Sequence, residues 1–153
     1  MKLKTKDFIF VGIQFLLFLI YVFEIKLLNF SLPDFLNIIF LIASIIGFLI
    51  VIVALLQLNK NLSPFPTPKS DSELIQTGLY KYIRHPIYTG IILMTFGYGL
   101  YSNSSFKLII SILLLILFYF KSSYEEKMLQ NKFSEYSEYK KTTGRFFPKF
   151  YPL

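Results

Sequence analysis

A run of 22 residues without a charged side chain, from Phe35 to Leu56, restricts the fold of this chain more than any other feature of its sequence. A helix of that length, rising about 1.5 Å per residue, crosses a hydrocarbon core about 30 Å thick. Ser31, Pro33 and Asp34, directly before the run, are typical of a helix N-terminus. The sequence therefore predicts a membrane-spanning helix here.

Further apolar runs lie on both sides of this segment, so we expect an all-α integral membrane protein with a single domain over residues 1–153. The four predicted spans cover about 8–28, 35–56, 87–101 and 106–120. Each of the last two runs would reach only about 22 Å as a helix. They should form a tight helical hairpin, and the second helix should extend past Lys121 into water. A cytosolic amphipathic helix is predicted over about 122–143.

Composition excludes several classes of protein. Hydrophobic residues make up 54% of the chain and the mean hydropathy is +0.55, which is too apolar for a soluble domain of this size. The net charge of +7 would suit nucleic acid, but the basic residues flank the apolar runs, so we expect no nucleic-acid partner. Without cysteine and with one histidine, the chain is expected to hold no metal ion.

The distribution of basic residues predicts the orientation in the membrane. With four spans, both termini and the segment from Gln57 to Arg84 fall on one side with 14 Lys and Arg residues, and two remain on the other side. Because basic residues accumulate on the cytoplasmic side, we expect both termini in the cytoplasm. The composition is compatible with a bacterial inner membrane.

The segment from Gly78 to Gly90 holds the candidate chemistry. It contains Arg84, the single histidine His85, and Pro86, which suits the first turn of a helix because it has no N–H to donate. Arg84 and His85 would then lie at the water boundary, where they and the helix N-terminus would bind an anionic group. The alternative is that Arg84 is an interfacial anchor and His85 a solvated loop residue.

The C-terminal tail is the second informative element. On its predicted helix, Glu125 and Glu126 lie at the membrane end, and the alternative for them is a solvated pair balanced by Lys121 and Lys127. Gly144 is suited to end that helix. The segment after it, Arg145-Phe146-Phe147-Pro148, is aromatic and basic, so we expect it to return along the membrane surface.

Together the two elements resemble the superfamily of isoprenylcysteine carboxyl methyltransferases and phospholipid N-methyltransferases. The resemblance covers roughly Pro64 to Pro148. It rests on Arg84-His85-Pro86-Ile87-Tyr88-Thr89-Gly90, on Glu125-Glu126-Lys127-Met128-Leu129, on the spaced Tyr136 and Tyr139, and on Arg145-Phe146-Phe147-Pro148. The paired order of the elements is far more specific than either element alone.

The resemblance implies S-adenosylmethionine as the methyl donor, held between the cytosolic ends of the last two membrane helices and the C-terminal segment. It implies a lipid-like or isoprenoid-linked acceptor. The implied cofactor-binding residues are Arg84, His85, Tyr88, Gly90, Gly97, Glu125 and Glu126. Tyr139 and Arg145 would face the substrate as the catalytic pair. For Gly97, contact between helices is the equal alternative to close approach of the adenosine.

Two other functions are compatible with parts of the sequence. Membrane sterol reductases, which use NADPH, are similar to this chain at Gly78-Leu79-Tyr80 and Arg84-His85-Pro86, but the Glu125-Glu126 pair favours methyl transfer. A non-catalytic membrane protein that binds lipid or a partner is the other alternative. The acceptor, its reacting atom, the organism and the oligomeric state are left open by the sequence.

Overall fold

The computed structural model describes residues 3–28 and 30–149, and these ranges form five α-helices without a named β-strand. The helices are α1 (Thr5–Val22), α2 (Asp34–Leu58), α3 (Pro86–Tyr101), α4 (Ser105–Lys132) and α5 (Tyr136–Thr142). Short 3₁₀ turns at Asn59–Asn61 and Gly78–Lys81 interrupt the long connection between α2 and α3. The all-α prediction is confirmed.

Three helical segments are long and apolar enough to cross a membrane. They are α1 (Thr5–Val22), α2 together with the 3₁₀ turn that follows it (Asp34–Asn61), and α4 (Ser105–Lys132). Their outer faces expose large hydrophobic side chains, among them Phe15, Phe35 and Ile116. At 16 residues α3 is shorter, so a fourth crossing stays a prediction.

The helix starts follow from local sequence. Asp34 begins α2 directly after Pro33, and Pro86 begins α3, each within one residue of its predicted start.

The predicted first span, 8–28, is wrong at its end, because α1 stops at Val22. There the Nζ of Lys107 donates to the carbonyl oxygens of Tyr21 and Phe23 at 3.0 and 3.3 Å, which satisfies groups that a longer helix would have paired.

The prediction that the second helix of the hairpin extends past Lys121 is confirmed, but the predicted helix over about 122–143 is wrong as a single element. Helix α4 is continuous from Ser105 to Lys132, the chain becomes extended at Phe133, and only the short α5 follows. The break lets α5 turn back and bury Tyr136 and Tyr139, which are 1% and 5% exposed. A straight helix would have carried both rings into water, at a cost in hydrophobic free energy.

The contacts between the helices gather the polar segments at one end of the molecule. Helix α2 packs along α3, α3 packs on α4, and α1 packs chiefly on α4. At one end, Asp7 at the start of α1 accepts hydrogen bonds from the N–H and hydroxyl of Thr67, at 3.1 and 2.9 Å. At the other end, the N–H of Leu32 donates to Asn103 Oδ1 at 2.9 Å. The long connection therefore lies beside the start of α1 and the end of α4.

Candidate functional site

A short parallel backbone pairing joins the two motifs of the sequence. The N–H of Arg84 donates to the Gly144 carbonyl at 2.9 Å, and the N–H of His85 donates to the Arg145 carbonyl at 3.1 Å. The N–H of Gly144 returns a bond to the Tyr82 carbonyl at 3.2 Å. The chain therefore holds the C-terminal segment against the residues that precede α3.

Glu126 is the centre of the ionic cluster that this pairing assembles. Its side chain is 2% exposed. Oxygen Oε1 lies 2.9 Å from Arg84 Nε and 3.3 Å from His85 Nε2. Oxygen Oε2 lies 3.1 Å from Arg145 Nη2 and 3.2 Å from Lys140 Nζ. The solvated-pair alternative is wrong for this residue, because its carboxylate is buried and bound by four side chains of the protein.

Arg84 and His85 are buried within the protein, so the alternative of an interfacial anchor and a solvated loop residue is wrong. They are 9% and 6% exposed. Besides its bond to Glu126, the Arg84 guanidinium donates to the backbone carbonyls of Lys140 and Thr143. Because these bonds occupy Nε and Nη1, Arg84 acts as a cross-link between α4 and the C-terminal segment.

Glu125 differs from its neighbour in having few partners. Its side chain is 27% exposed, the Tyr88 hydroxyl donates to Oε2 at 3.1 Å, and His85 Nδ1 lies 3.9 Å from the same oxygen. The His85 ring stacks on the Tyr88 ring at 5.3 Å, and Tyr88 stacks on Phe118 at 4.5 Å. This stack fixes the phenol that holds the carboxylate, so Glu125 is oriented while keeping an accessible face.

Two cavities border the pair formed by His85 and Glu125. The larger, of about 310 Å³, reaches from α1 to α4. Its lining consists of Gln14, Leu55, Leu58, Leu62, Ser63, Pro64, Tyr80, Arg84, His85, Ile87, Tyr88, Ile91, Lys121 and Glu125. The smaller, of about 100 Å³, lies under the segment 61–75 and shares Tyr80, Arg84, His85 and Glu125 with it. A volume near 300 Å³ is at the lower end of the range for small-ligand pockets.

Two polar residues of the larger cavity, Lys121 and Gln14, were not predicted from the sequence. Lys121, assigned above only as a charge balance, is 2% exposed, and its Nζ donates to Gln14 Oε1 at 2.6 Å and to the Pro64 carbonyl at 2.9 Å. Gln14 is the one strongly polar residue in the apolar run from Phe8 to Phe23. That interruption of a membrane span was the available signal.

The two residues predicted to be catalytic lie outside the larger cavity. Arg145 is 24% exposed, donates to Glu126 and to Ser123 Oγ at 2.8 Å, and stands 5.1 Å from the centroid of the Tyr119 ring. Tyr139 is buried and lines the smaller cavity. Its hydroxyl donates to the Tyr80 carbonyl at 2.5 Å. Their contact with a substrate stays a prediction.

Gly90 and Gly97 belong to the contact between α2 and α3. A Cβ atom on Gly90 would lie 2.7 Å from the Gly47 carbonyl oxygen, and one on Gly97 would lie 2.8 Å from that of Phe40. Neither glycine is among the lining residues of the two cavities around Glu125. Helix packing, the alternative given for Gly97, accounts for both, so we leave them out of the proposed cofactor site.

Tyr139 leads to a prediction about alkaline stability. Burial raises the pKa of Tyr139 from 10.0 to about 12, partly offset by the Arg84 guanidinium. The neutral phenol is thus favoured in the folded state, and its contribution is complete below pH 10 and lost as pH rises from 10 to about 12. We expect the free energy of unfolding to fall over that interval, and to fall less steeply in Tyr139→Phe. Equal slopes in denaturant titrations of the two proteins would contradict this.

Comparison with known families bears on what this arrangement does. The profile of the phospholipid methyltransferase family matches residues 36–136. The match begins in α2 and ends at the first residue of α5, so it includes the site residues Arg84, His85, Tyr88, Glu125 and Glu126 and leaves α1 outside. No curated protein sequence matches the chain. In the described ranges, no group of three or more His, Cys, Asp or Glu side chains is placed to hold a metal ion.

Proposed function

This chain belongs to the phospholipid methyltransferase family, and from that premise we propose that it transfers a methyl group from S-adenosylmethionine to a lipid-like acceptor at the cytosolic membrane boundary. The observation that carries the proposal is the Glu125 carboxylate, oriented by Tyr88 and His85 on the wall of the larger cavity. The family and the membrane-type helices support a lipid-like substrate.

The residues around Glu125 fit the proposed cofactor chemically. S-adenosylmethionine, when bound, supplies an electrophilic methyl group on a positively charged sulfonium. Aromatic ring faces favour such a cation, and the cavity presents Tyr88 and Tyr80. The Glu125 carboxylate adds a negative charge that favours a positively charged ligand. The apolar side chains Leu55, Ile87 and Ile91 complete a wall suited to exclude water.

The contribution of the protein to the reaction would be placement. Direct transfer to a nucleophilic acceptor atom needs alignment of the two reactants, and a protein supplies that alignment without forming a covalent intermediate. Glu126, with Arg84 and Arg145, holds the C-terminal segment on α4, and the stacked rings of His85 and Tyr88 hold Glu125. In this proposal Glu126 has a structural role, holding the C-terminal segment in place, and Glu125 contacts the bound ligand.

An apolar cavity of about 320 Å³ supports lateral entry of the acceptor's hydrocarbon part. It is lined by Ile83, Thr89, Ile92, Leu93, Phe96, Leu115, Phe146, Phe147 and Pro148. Arg145, next to Phe146, is therefore better located than Tyr139 to meet the polar end of an acceptor. With 14 basic residues predicted on the side of both termini, we place this end of the molecule in the cytoplasm.

Glu125→Gln should weaken the binding of S-adenosylmethionine and S-adenosylhomocysteine. The amide keeps the shape but removes the charge, and a lost charge-assisted bond costs about tenfold in affinity. Calorimetric titration of the detergent-purified protein measures this. Glu138→Gln is the matched control, because the Glu138 side chain is 71% exposed and pairs with Lys141.

Transfer of a labelled methyl group from S-adenosylmethionine to vesicles containing phosphatidylethanolamine tests the reaction itself. NADPH binding in place of the two adenosyl ligands would instead favour the reductase. Intact folding with no binding of any of the three ligands would favour the non-catalytic alternative. If Glu125→Gln and Glu138→Gln both bind S-adenosylmethionine and S-adenosylhomocysteine as tightly as the wild type does, Glu125 is not part of the site.

A further inference from the structure

Lys121 is a buried cation with no carboxylate at ion-pair distance. Its side chain is buried on the wall of the larger cavity, and both hydrogen-bond acceptors of its Nζ, Gln14 Oε1 and the Pro64 carbonyl, are uncharged. None of the ion pairs in the described part of the chain includes it. Glu125 and Asp7 favour this charge from beyond ion-pair distance. Because a buried charge without a close partner is costly, we expect a closer counter-charge in the working protein.

Glu125 lies on the same wall, one helical turn after Lys121. Residues four apart on a helix present neighbouring side chains on one face, and both residues line the larger cavity. The Lys121 ammonium lies 5.5 Å from the centroid of the Tyr88 ring, and the hydroxyl of that ring binds Glu125. The cavity wall therefore carries the Lys121 ammonium and the Glu125 carboxylate near one another, and the Tyr88 ring contacts both.

We infer that Lys121 and Glu125 form the subsite for the amino-acid end of the methyl donor, with Lys121 binding the α-carboxylate and Glu125 the α-ammonium. This inference rests on the proposed function. An α-amino acid carries both charges on a single carbon, so it matches two opposite charges one helical turn apart. An ammonium has three N–H donors, and Gln14 and Pro64 use two of those on Lys121, which leaves one for a carboxylate in the cavity.

Gln14 is the positioning residue of this subsite. Its amide oxygen, 2.6 Å from Lys121 Nζ, holds the ammonium against the wall without neutralising it. A carboxylate at position 14 would compete with the ligand for the same charge. Helix α1 lies outside the residues that the family profile matches, so this role gives the first helix a part in ligand recognition that the match does not assign.

The experiment compares two ligands that differ only in the inferred contact. Wild-type protein is titrated with S-adenosylhomocysteine and with its decarboxylated form, which lacks the α-carboxylate and keeps the amine. We expect the decarboxylated ligand to bind about tenfold more weakly, as the loss of one charge-assisted bond implies. Equal affinities in the wild type would overturn the inference without any variant having to fold.

Lys121→Met supplies the second arm, because methionine keeps much of the chain length without the charge. The affinity ratio between the two ligands should fall to about one in this variant, and it should fall partly in Gln14→Leu. A generally damaged cavity would weaken both ligands equally and leave the ratio unchanged, which would overturn the inference. The matched control is Lys127→Met, since Lys127 is an exposed lysine of the same helix.

The two proposals fail in different ways. Wild-type protein that binds neither S-adenosylmethionine nor S-adenosylhomocysteine would overturn the proposed function and this inference with it. Saturable binding of both, with a ratio insensitive to Lys121, would leave methyl transfer intact and remove only the assigned subsite.

Discussion

Glu126→Ala should lower the free energy of unfolding by about 3–5 kcal/mol, because it leaves the buried Arg84 guanidinium without its counter-charge. The Arg84 side chain is 6% exposed, and His85 and Arg145 share the same carboxylate. Thermal unfolding in detergent, followed by circular dichroism, measures the loss. The loss of stability should exceed that in Glu125→Gln. The wild-type Glu125 carboxylate accepts one side-chain hydrogen bond, from Tyr88, and His85 lies farther away, at 3.9 Å.

Glu138→Ala is the control for this substitution as well. Its ion pair with Lys141 is exposed on both sides, and such pairs contribute at most about 1 kcal/mol. A loss below about 1 kcal/mol in Glu126→Ala would mean that the cluster around Glu126 does not hold the C-terminal segment.

Gly47→Val should destabilise the protein by about 2–3 kcal/mol through overpacking of the contact between α2 and α3. A Cβ at position 47 would lie 2.5 Å from the backbone nitrogen of Met94 and 2.7 Å from the carbonyl oxygen of Gly90. Both are backbone atoms, so neither can move aside as the end of a flexible side chain would. The helices would have to separate, with loss of packing along their length.

Gly12→Val isolates this packing effect from the change in helix propensity. Gly12 is also a helical glycine, but nothing lies within 4 Å of a Cβ built there. We expect its unfolding free energy to stay within about 0.5 kcal/mol of the wild type. Similar losses in the two variants would argue that valine itself, and not the close approach of α3, causes the instability at Gly47.

The helices were largely predictable from the sequence where local chemistry decides them. Pro33 and Pro86 restrict the backbone at the starts of α2 and α3, and the charge-free run from Phe35 to Leu56 predicts a membrane span. The end of α1 was not predictable in this way. It depends on Lys107, which is 84 residues from Phe23 in the sequence. A cap supplied by tertiary contact leaves no signal in the helix it ends.

The candidate site shows the same division. The sequence brought out Arg84, His85, Glu125 and Glu126 as chemistry-bearing residues, and the structure places all four together. It did not separate the roles of the two glutamates, because adjacent residues on a helix point about 100° apart and only the surroundings decide which one is buried. Glu126 faces the cations and Glu125 faces the cavity.

The attachment of α1 has a consequence for the order in which the protein assembles during synthesis. Helix α1 is made before α4, yet two of the side chains that hold it, Lys121 at mid-length and Lys107 at its end, belong to α4. While the ribosome is still extending the chain, α2 and α3 have each other as partners, whereas α1 has only part of its contacts, such as the bond from the Tyr21 hydroxyl to the Thr95 carbonyl of α3, until α4 emerges. We therefore expect α1 to complete its docking only after α4 has been made, and the larger cavity, which both helices line, to be completed at that step.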